Sequence, residues 1–467
     1  MNEENRRIII VLAGLCLCFI GLIGFMSYFQ VFEAETIKTN SYNKRLWINE
    51  EKILRGSIMD RNGTVLAYSQ ENDGKIQRYY KYANLYSHII GYSHRAYGKS
   101  GLELSYNNYL LDLSESSTIE ELKNIVAPST IGNDLVLTID HGSQEKARTL
   151  LQGKKGALIA LNPKSGEIYA MVSLPDFNVN SIDEEWAVIS EDTNSPLLNR
   201  ATQGLYPPGS VFKVITASAI INSPNVATNY TCEGSTNIDG YNFKDYSNTA
   251  HGELDLSGAL TVSCNTYFTE KSLEIGHDRF RNMAQAFMFN NNIPFDLPVN
   301  TSVFPKGNLG DTDLAASGIG QGKVLTTPLN MALTAAAIAN NGEVVKPILV
   351  SDVVSTNGKL VKSNKREVLS VAIDSLDANS IKEMMVAVVK SGTGRNASIK
   401  NVKVAGKTGT AENASGKSHA WFIGFAPADD PKIAVAVLLE EEGSTGGASA
   451  APIARDFIIY GLNNIKF

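Results

Sequence analysis

With 467 residues, 43% of them hydrophobic and 19% charged, the chain is long enough for more than one folded unit and too apolar for a disordered one. Its 42 basic and 48 acidic side chains leave a formal net charge of −6, which offers no basic footprint for nucleic acid. Four cysteines, two of them inside the first apolar run, exclude a disulfide framework.

Residues 8–26 are 19 consecutive residues without a charge. At 1.5 Å per residue they make about 28 Å of helix, close to the hydrocarbon thickness of a bilayer. Arg6 and Arg7 stand directly before this run, so the positive-inside rule assigns 1–7 to the cytoplasm and everything after the span to the outside. A cleaved signal peptide is the alternative. The bulky sequence Ser27-Tyr28-Phe29-Gln30-Val31-Phe32 lacks a small-x-small cleavage site and favours a retained anchor over 8–28. A lipoprotein anchor at Cys16 is disfavoured by Leu15, which stands where a small residue is expected.

Residues 29–153 read as a separate extended module, polar and tyrosine-rich, with a turn at Asp60-Arg61-Asn62-Gly63. It ends in a strand over 133–140 and a helix over 141–151. From Gly156 the pattern changes. Two β-rich runs, 156–161 and 167–173, flank the turn formers Asn162-Pro163-Lys164-Ser165-Gly166 and predict a hairpin. Three further strands are expected at 402–411, 419–426 and 432–439, followed by a small-residue helix over 448–460. Between them, 178–401 reads as mainly helical, with helices at 211–222, 256–262 and 327–340. Strands at both ends of 154–467 imply an α+β unit: an antiparallel sheet closed by the two chain ends, with a helical lobe inserted.

Cys232 and Cys264 are the two cysteines of the folded part. A bridge between them and a pair of unpaired thiols both remain open. The six histidines are scattered, none at metal-ligand spacing from a cysteine or another histidine, so no metal is expected.

Three short motifs carry chemistry. In Tyr206-Pro207-Pro208-Gly209-Ser210-Val211-Phe212-Lys213 the prolines stop an upstream helix and Gly209 permits a tight turn. Ser210 therefore falls at a helix N-terminus, where free N–H groups and the helix dipole favour developing negative charge. Lys213, one turn on, is placed to take the serine proton. Eight of the twelve residues 211–222 are apolar and spread around the helix, so the helix is buried. Lys213 is its one ionisable side chain, and burial favours the neutral amine that a general base needs. Taken alone, the pair also reads as an ordinary serine cap with a solvated lysine.

The second motif, Ser263-Cys264-Asn265, offers a second hydroxyl to relay a proton and an amide to hold Lys213 and a substrate. On its own it is also a common helix cap. The third, Gly406-Lys407-Thr408-Gly409-Thr410-Ala411, lies on a predicted strand, where a mid-strand glycine marks close approach by a ligand or another backbone. A peptide can add along such an edge, with the N–H groups of Thr410 and Ser210 forming an oxyanion hole. Lys407 adds positive charge, and the Thr408 or Thr410 hydroxyl suits a carboxylate. A phosphate-binding loop is excluded because Asn401 stands where its first glycine is required.

In this order, Ser-x-x-Lys, Ser-x-Asn and Lys-Thr-Gly resemble the signature shared by penicillin-binding proteins and serine β-lactamases. Residues 156–171, Gly318-Ile319-Gly320-Gln321-Gly322 with Thr327-Pro328, and 420–427 are similar to the transpeptidase domain of class B penicillin-binding proteins. Residues 55–63 and Gly101-Leu102-Glu103 resemble that family's non-catalytic, dimerisation-type pedestal. The middle residue of the second motif departs from many relatives, with Cys264 in place of Asp.

The resemblance implies a serine β-lactamase/transpeptidase-like fold over 154–467, preceded by a transmembrane helix and a pedestal over 29–153. It implies that Ser210 attacks the D-Ala-D-Ala bond of a peptidoglycan stem peptide, with Lys213 as base, Ser263 as relay and Asn265 as positioning group. Lys407, Thr408, Gly409 and Thr410 then bind substrate and complete the oxyanion contact. It further implies β-lactam binding, no cofactor, a single-pass bacterial membrane protein with an extracytoplasmic catalytic domain, and a membrane glycan polymerase as partner.

The rival readings are a D,D-carboxypeptidase or β-lactamase-type hydrolase and a catalytically silent β-lactam-binding scaffold. The hydrolase needs a water-activating acid, and the nearest segment, Glu270-Lys271-Ser272-Leu273-Glu274, reads as a continuation of the local helix.

Overall fold

The structure is a computed structural model that describes residues 3–33, 52–113, 131–307, 309–413 and 415–467. Of the expected pedestal, 34–51 and 114–130 lie outside the described residues.

The first apolar run forms the helix Glu3–Tyr28, whose large side chains stay exposed all round. Among the described residues it is the one helix long and apolar enough to cross a membrane. An uninterrupted apolar surface on an unpacked helix is stable in lipid rather than water.

After it, strands Ile58–Met59, Val65–Asn72 and Lys75–Tyr80 build one side of a six-stranded sheet around Asp134–Leu137. The other side is Val350–Val354 and Leu360–Ser363, two strands from the stretch expected to be mainly helical. This corrects the helical reading of that stretch. Strands of four or five residues with polar exposed positions carry too little periodicity to be read from sequence. The sheet also straddles the expected boundary at 153/154. Beneath it Glu103 is fully buried between two guanidinium groups, Arg55 Nη2 at 2.7 Å and Arg78 Nε at 2.7 Å. Burial alone would raise its carboxyl, but Arg78 and Arg55 hold it below the ordinary value.

The second sheet has five strands: β1 (Gly156–Leu161), β2 (Ile168–Leu174), β3 (Ala405–Ala411), β4 (His419–Ala426) and β5 (Ile433–Leu439). Their order is β3-β4-β5-β1-β2 and every pairing is antiparallel. The late strands meet the early ones in the middle of the sheet, where Ala436 pairs with Ile159. Its edges, β3 and β2, stay apart, so the two chain ends join the sheet without closing it.

The helices that matter for the site are α1 (Lys213–Ile221), α2 (Leu256–Val262), α3 (Asn265–Ile275), α4 (Pro328–Ala339), α5 (Ser375–Ser391) and α6 (Ala450–Asn464). Successive side chains of β5 point to opposite faces and serve two cores. Ala434, Ala436 and Leu438 pack with α4, whereas Val435, Val437 and Leu439 pack with Ala454, Phe457 and Ile458 of α6. Both faces are covered, which explains why β1 and β5 read as unbroken apolar runs. Helix starts follow their caps: Asp255 accepts from Gly258 N ahead of α2, and Thr327 accepts from Asn330 N with Pro328 in the first turn of α4.

Replacing Glu103 by alanine removes the buried carboxylate that Arg55 and Arg78 share. Chemical denaturation is expected to show a loss of about 3–5 kcal/mol in this part of the molecule, against little change for a solvent-exposed pair such as Lys403 and Asp429.

Candidate active site

The expected helix over 211–222 begins later and more tightly than the pattern suggested. Gly209–Phe212 is a turn of 3-10 helix, and α1 takes over at Lys213. Pro207 and Pro208 lead in and Gly209 adopts φ +55, which sets Ser210, half-buried, in the first turn. Three contacts fix this entry: Trp421 Nε1 donates to Pro207 O at 3.1 Å, Gly209 N donates to Gly320 O at 2.9 Å, and Tyr206 pairs with Thr326.

Lys213 is fully buried. Its ammonium donates to Ser263 O at 2.7 Å and Asn265 Oδ1 at 2.7 Å, and lies 3.4 Å from Ser263 Oγ. Burial pulls it down to about 8, with Cys264 and Asp245 opposing the shift. Lys407 reaches the same hydroxyl from the opposite side of the sequence, donating to Ser263 Oγ at 2.9 Å and to Thr408 O at 3.0 Å. It too is fully buried, and burial together with the nearby Lys213 lowers it well below the usual lysine range. One serine hydroxyl thus sits between two amines that burial drives toward the neutral state.

Ser263 occupies the junction between α2 and α3 in the left-handed region, φ 63 and ψ 40. A non-glycine residue rarely stays there unless its surroundings insist. Those surroundings include Asn265, whose side-chain amide donates to Lys244 O at 2.8 Å while its oxygen receives Lys213. Asp245 accepts a short bond from Asn265 N and another from Thr266 Oγ1 at 2.8 Å, tying down the start of α3.

On β3 the side chains alternate. Lys407 faces Ser263, and Gly409 follows two residues on, on the same side of the strand. A Cβ at Gly409 would lie 2.9 Å from Pro208 O, so the strand runs against the backbone that carries Ser210. Thr408 is buried and its hydroxyl is bonded to Thr393 Oγ1 at 2.7 Å, whereas Thr410 is exposed. The eight residues singled out from sequence therefore converge on one place, from the Gly209–Phe212 turn, α1, the α2–α3 junction and β3. Asp245, Trp421 and Thr393 were missed. Asp245 and Thr393 lie in irregular segments with no motif spacing, and Trp421 sits in a strand whose apolar run hides its polar indole N–H. The acids of the 270–274 segment are engaged elsewhere, Glu270 by Thr236 and Glu274 by Lys271.

Residues 156–458 match the family model of the penicillin binding protein transpeptidase domain, and residues 55–133 match that of the penicillin binding protein A dimerisation domain. The chain is 32% identical to the peptidoglycan D,D-transpeptidase PbpA of Mycolicibacterium smegmatis, covering 99% of each chain. It is 32% identical to the peptidoglycan D,D-transpeptidase MrdA of Acinetobacter baumannii over 83% of this chain and 66% of that one. Among solved structures, penicillin-binding protein A from M. tuberculosis as its ceftriaxone acyl-enzyme superposes with a TM-score of 0.82 at 31% identity, over 89% of this chain and 100% of the other.

Gly320 has φ +68, and a Cβ there would stand 2.3 Å from Gly209 O. Gly322 has a similar φ of +69, but a Cβ there would meet nothing closer than 3.4 Å. Gly320→Ala is therefore expected to lower stability by about 1–3 kcal/mol more than Gly322→Ala, measured by denaturant unfolding. Equal losses would show that the turn conformation alone, and not the approach to Gly209, demands glycine.

Proposed function

We propose a division of labour for the residues of a chain that belongs to the class B penicillin-binding proteins, a serine D,D-transpeptidase that cross-links peptidoglycan stem peptides through an acyl-enzyme and binds penicillin. Ser210 is the nucleophile. Its Oγ attacks the carbonyl of the penultimate D-alanine as its proton passes to neutral Lys213. The N–H groups of Ser210 and Thr410 receive the developing oxyanion, a contact worth several kcal/mol when the donors are pre-aimed. Ser263, hydrogen-bonded by Lys407 and within reach of Lys213, relays the proton to the leaving D-alanine amine. An amine from a neighbouring strand then attacks the acyl-enzyme, the same groups carry its proton in reverse, and Ser210 is restored.

The observation that carries this reading is the pair of buried amines on one hydroxyl beside the Ser210 turn. A lysine at its ordinary value near 10.4 is a poor base at neutral pH, and one held near 8 is available. Asn265 holds Lys213, Gly409 lets β3 lie against the backbone that carries Ser210, and the Thr410 hydroxyl suits the terminal carboxylate. Thr408 supports the strand through its bond to Thr393. A β-lactam enters the same path. Its ring carbonyl takes the place of the peptide carbonyl, and because the amine leaving group stays tethered the ester on Ser210 persists.

The apolar helix anchors the protein in the membrane, with Arg6 and Arg7 on the cytoplasmic side and the catalytic part outside. The partition 1–7, 8–28, 29–153 and 154–467 describes tail, anchor, pedestal and transpeptidase, although one sheet binds the last two together. A membrane glycan polymerase, contacted through anchor and pedestal, supplies the strands to be joined.

Two outcomes test this assignment. Ser210→Ala abolishes labelling by a fluorescent penicillin, and intact-mass analysis of the unmodified protein shows one adduct that persists for hours. Labelling of the variant, or rapid release of the adduct, refutes the nucleophile or the transpeptidase reading respectively. Because a neutral base is needed, the rate of acylation rises as pH increases through about 8, the value burial gives Lys213. Lys213→Ala slows acylation by roughly 10²–10⁴-fold and removes that rise. An unchanged midpoint in the variant would assign the titration to another group.

A further inference from the structure

The stretch of chain that leads to Ser210 has few bonds of its own to hold it. Pro207 and Pro208 have no N–H to donate, and their rings fix φ, so a shift at Tyr206 is passed on toward Ser210. The hold at Tyr206 therefore matters, and it is double. Its backbone exchanges both hydrogen bonds with Thr326, donating to Thr326 O at 3.0 Å and accepting from Thr326 N at 2.9 Å. Its ring is T-shaped against His419 at 5.4 Å and Trp421 at 6.4 Å, and the hydroxyl at its tip donates to Glu440 Oε2 at 3.3 Å. Gly204 leaves room for that ring, since a Cβ there would stand 2.4 Å from Tyr206 Cε2.

Glu440 is the residue just after β5, and its backbone and side chain are both tied down. Its N–H donates to Lys155 O at 2.6 Å, just ahead of β1, and the next N–H, that of Glu441, donates to His419 Nδ1 at 3.0 Å, at the start of β4. Oε1 takes Lys155 Nζ at 3.1 Å, and Oε2 takes Arg200 Nε at 2.7 Å. Arg200 is 1% exposed, and its other two nitrogens donate to Ser195 O at 3.0 Å and Asn194 O at 2.5 Å. Burial would raise the Glu440 carboxyl, but Arg200 and Lys155 hold it below the ordinary value. The carboxylate is thus a charged acceptor in a fixed place, and a hydroxyl bonded to it keeps one orientation.

The ion pairs of Glu440 with Arg200 and Lys155 would serve stability without Tyr206. What the phenol adds is a link from those ion pairs to the segment that carries Ser210. We propose that Glu440 is a positioning residue for acylation, which through the Tyr206 hydroxyl registers the Ser210 turn against the five-stranded sheet and so against Thr410 of β3. Its part is to hold, since its oxygens are taken up by Arg200, Lys155 and Tyr206. Trp421 makes a second connection one residue on, from β4 to Pro207 O. Two grips on adjacent residues fix direction as well as position, which an attacking oxygen needs. The role rests on the reading of Ser210 as nucleophile and of the Thr410 N–H as an oxyanion donor.

The test follows acylation of the full chain in detergent by a fluorescent penicillin after rapid mixing. A range of penicillin concentrations separates the first-order acylation constant from the half-saturating concentration. Tyr206→Phe keeps the ring and removes the bond to Glu440. Its acylation constant is expected to fall roughly tenfold, with the half-saturating concentration within about twofold of the unmodified protein and labelling still complete at long times. Glu440→Gln, which loosens the acceptor, is expected to slow acylation by a similar factor, and the double variant to be no slower than the slower single one, because both act through one bond. An acylation constant unchanged in Tyr206→Phe, a loss confined to the half-saturating concentration, or slowing that multiplies in the double variant would each overturn the proposal. Should Glu440→Gln fail to fold, Tyr206→Phe decides by the first two. Ser210→Ala run beside them keeps the conclusions apart: label on that variant refutes the nucleophile, whereas a normal rate in Tyr206→Phe refutes the positioning alone.

Discussion

The hydroxyl of Ser263 stands between two lysine ammonium groups, Lys213 Nζ at 3.4 Å and Lys407 Nζ at 2.9 Å, and neither side chain touches solvent. Burial lowers both amines below the ordinary lysine range, and the nearness of Lys213 lowers Lys407 further. That constraint favours the neutral form of an amine next to a serine, which the proposed base requires. It also dictates the architecture, because the three participants come from α1, the α2–α3 junction and β3.

The fold meets this demand by rigid means. β5 divides its alternate residues between two cores, so the sheet is clamped on both faces and β3 has a fixed platform. The turn bearing Ser210 is held to that platform by Trp421 and by the absence of side chains at Gly320 and Gly409, which lets backbone meet backbone. Asp245 fixes the third participant through Asn265 and Thr266. Placement to a fraction of an ångström is what the proposed proton relay requires, and packed elements supply it better than loops do.

Much of this was legible in the sequence. Four strands of the second sheet stood out because burial on both faces leaves nearly continuous apolar runs, and α2 has the expected bounds, 256–262. The eight candidate residues could be singled out because the chemistry restricts their types and short spacings. Contacts between distant segments were not. Val350–Val354 is too short to show a period, and its role is to pair with Asp134–Leu137 more than 200 residues earlier. Nothing local announces the left-handed Ser263, which tertiary contacts impose. Cys232, Asp245, His251 and Cys264 are separated by irregular hairpins and turns, so only the folded chain gathers them. The sheet's open edges were invisible for the same reason, since pairing order is not a property of any one strand.

The account stands or falls on the charge state of the two buried amines. Its most direct test is an NMR titration of the side-chain lysine signals in the full chain, assigned with Lys213→Ala and Lys407→Ala, from neutral to strongly alkaline pH. Two lysines are expected to change charge well below the rest, with Lys213 near 8. If both titrate with the other lysines in the ordinary range near 10.4, no neutral base exists at working pH and the account is contradicted.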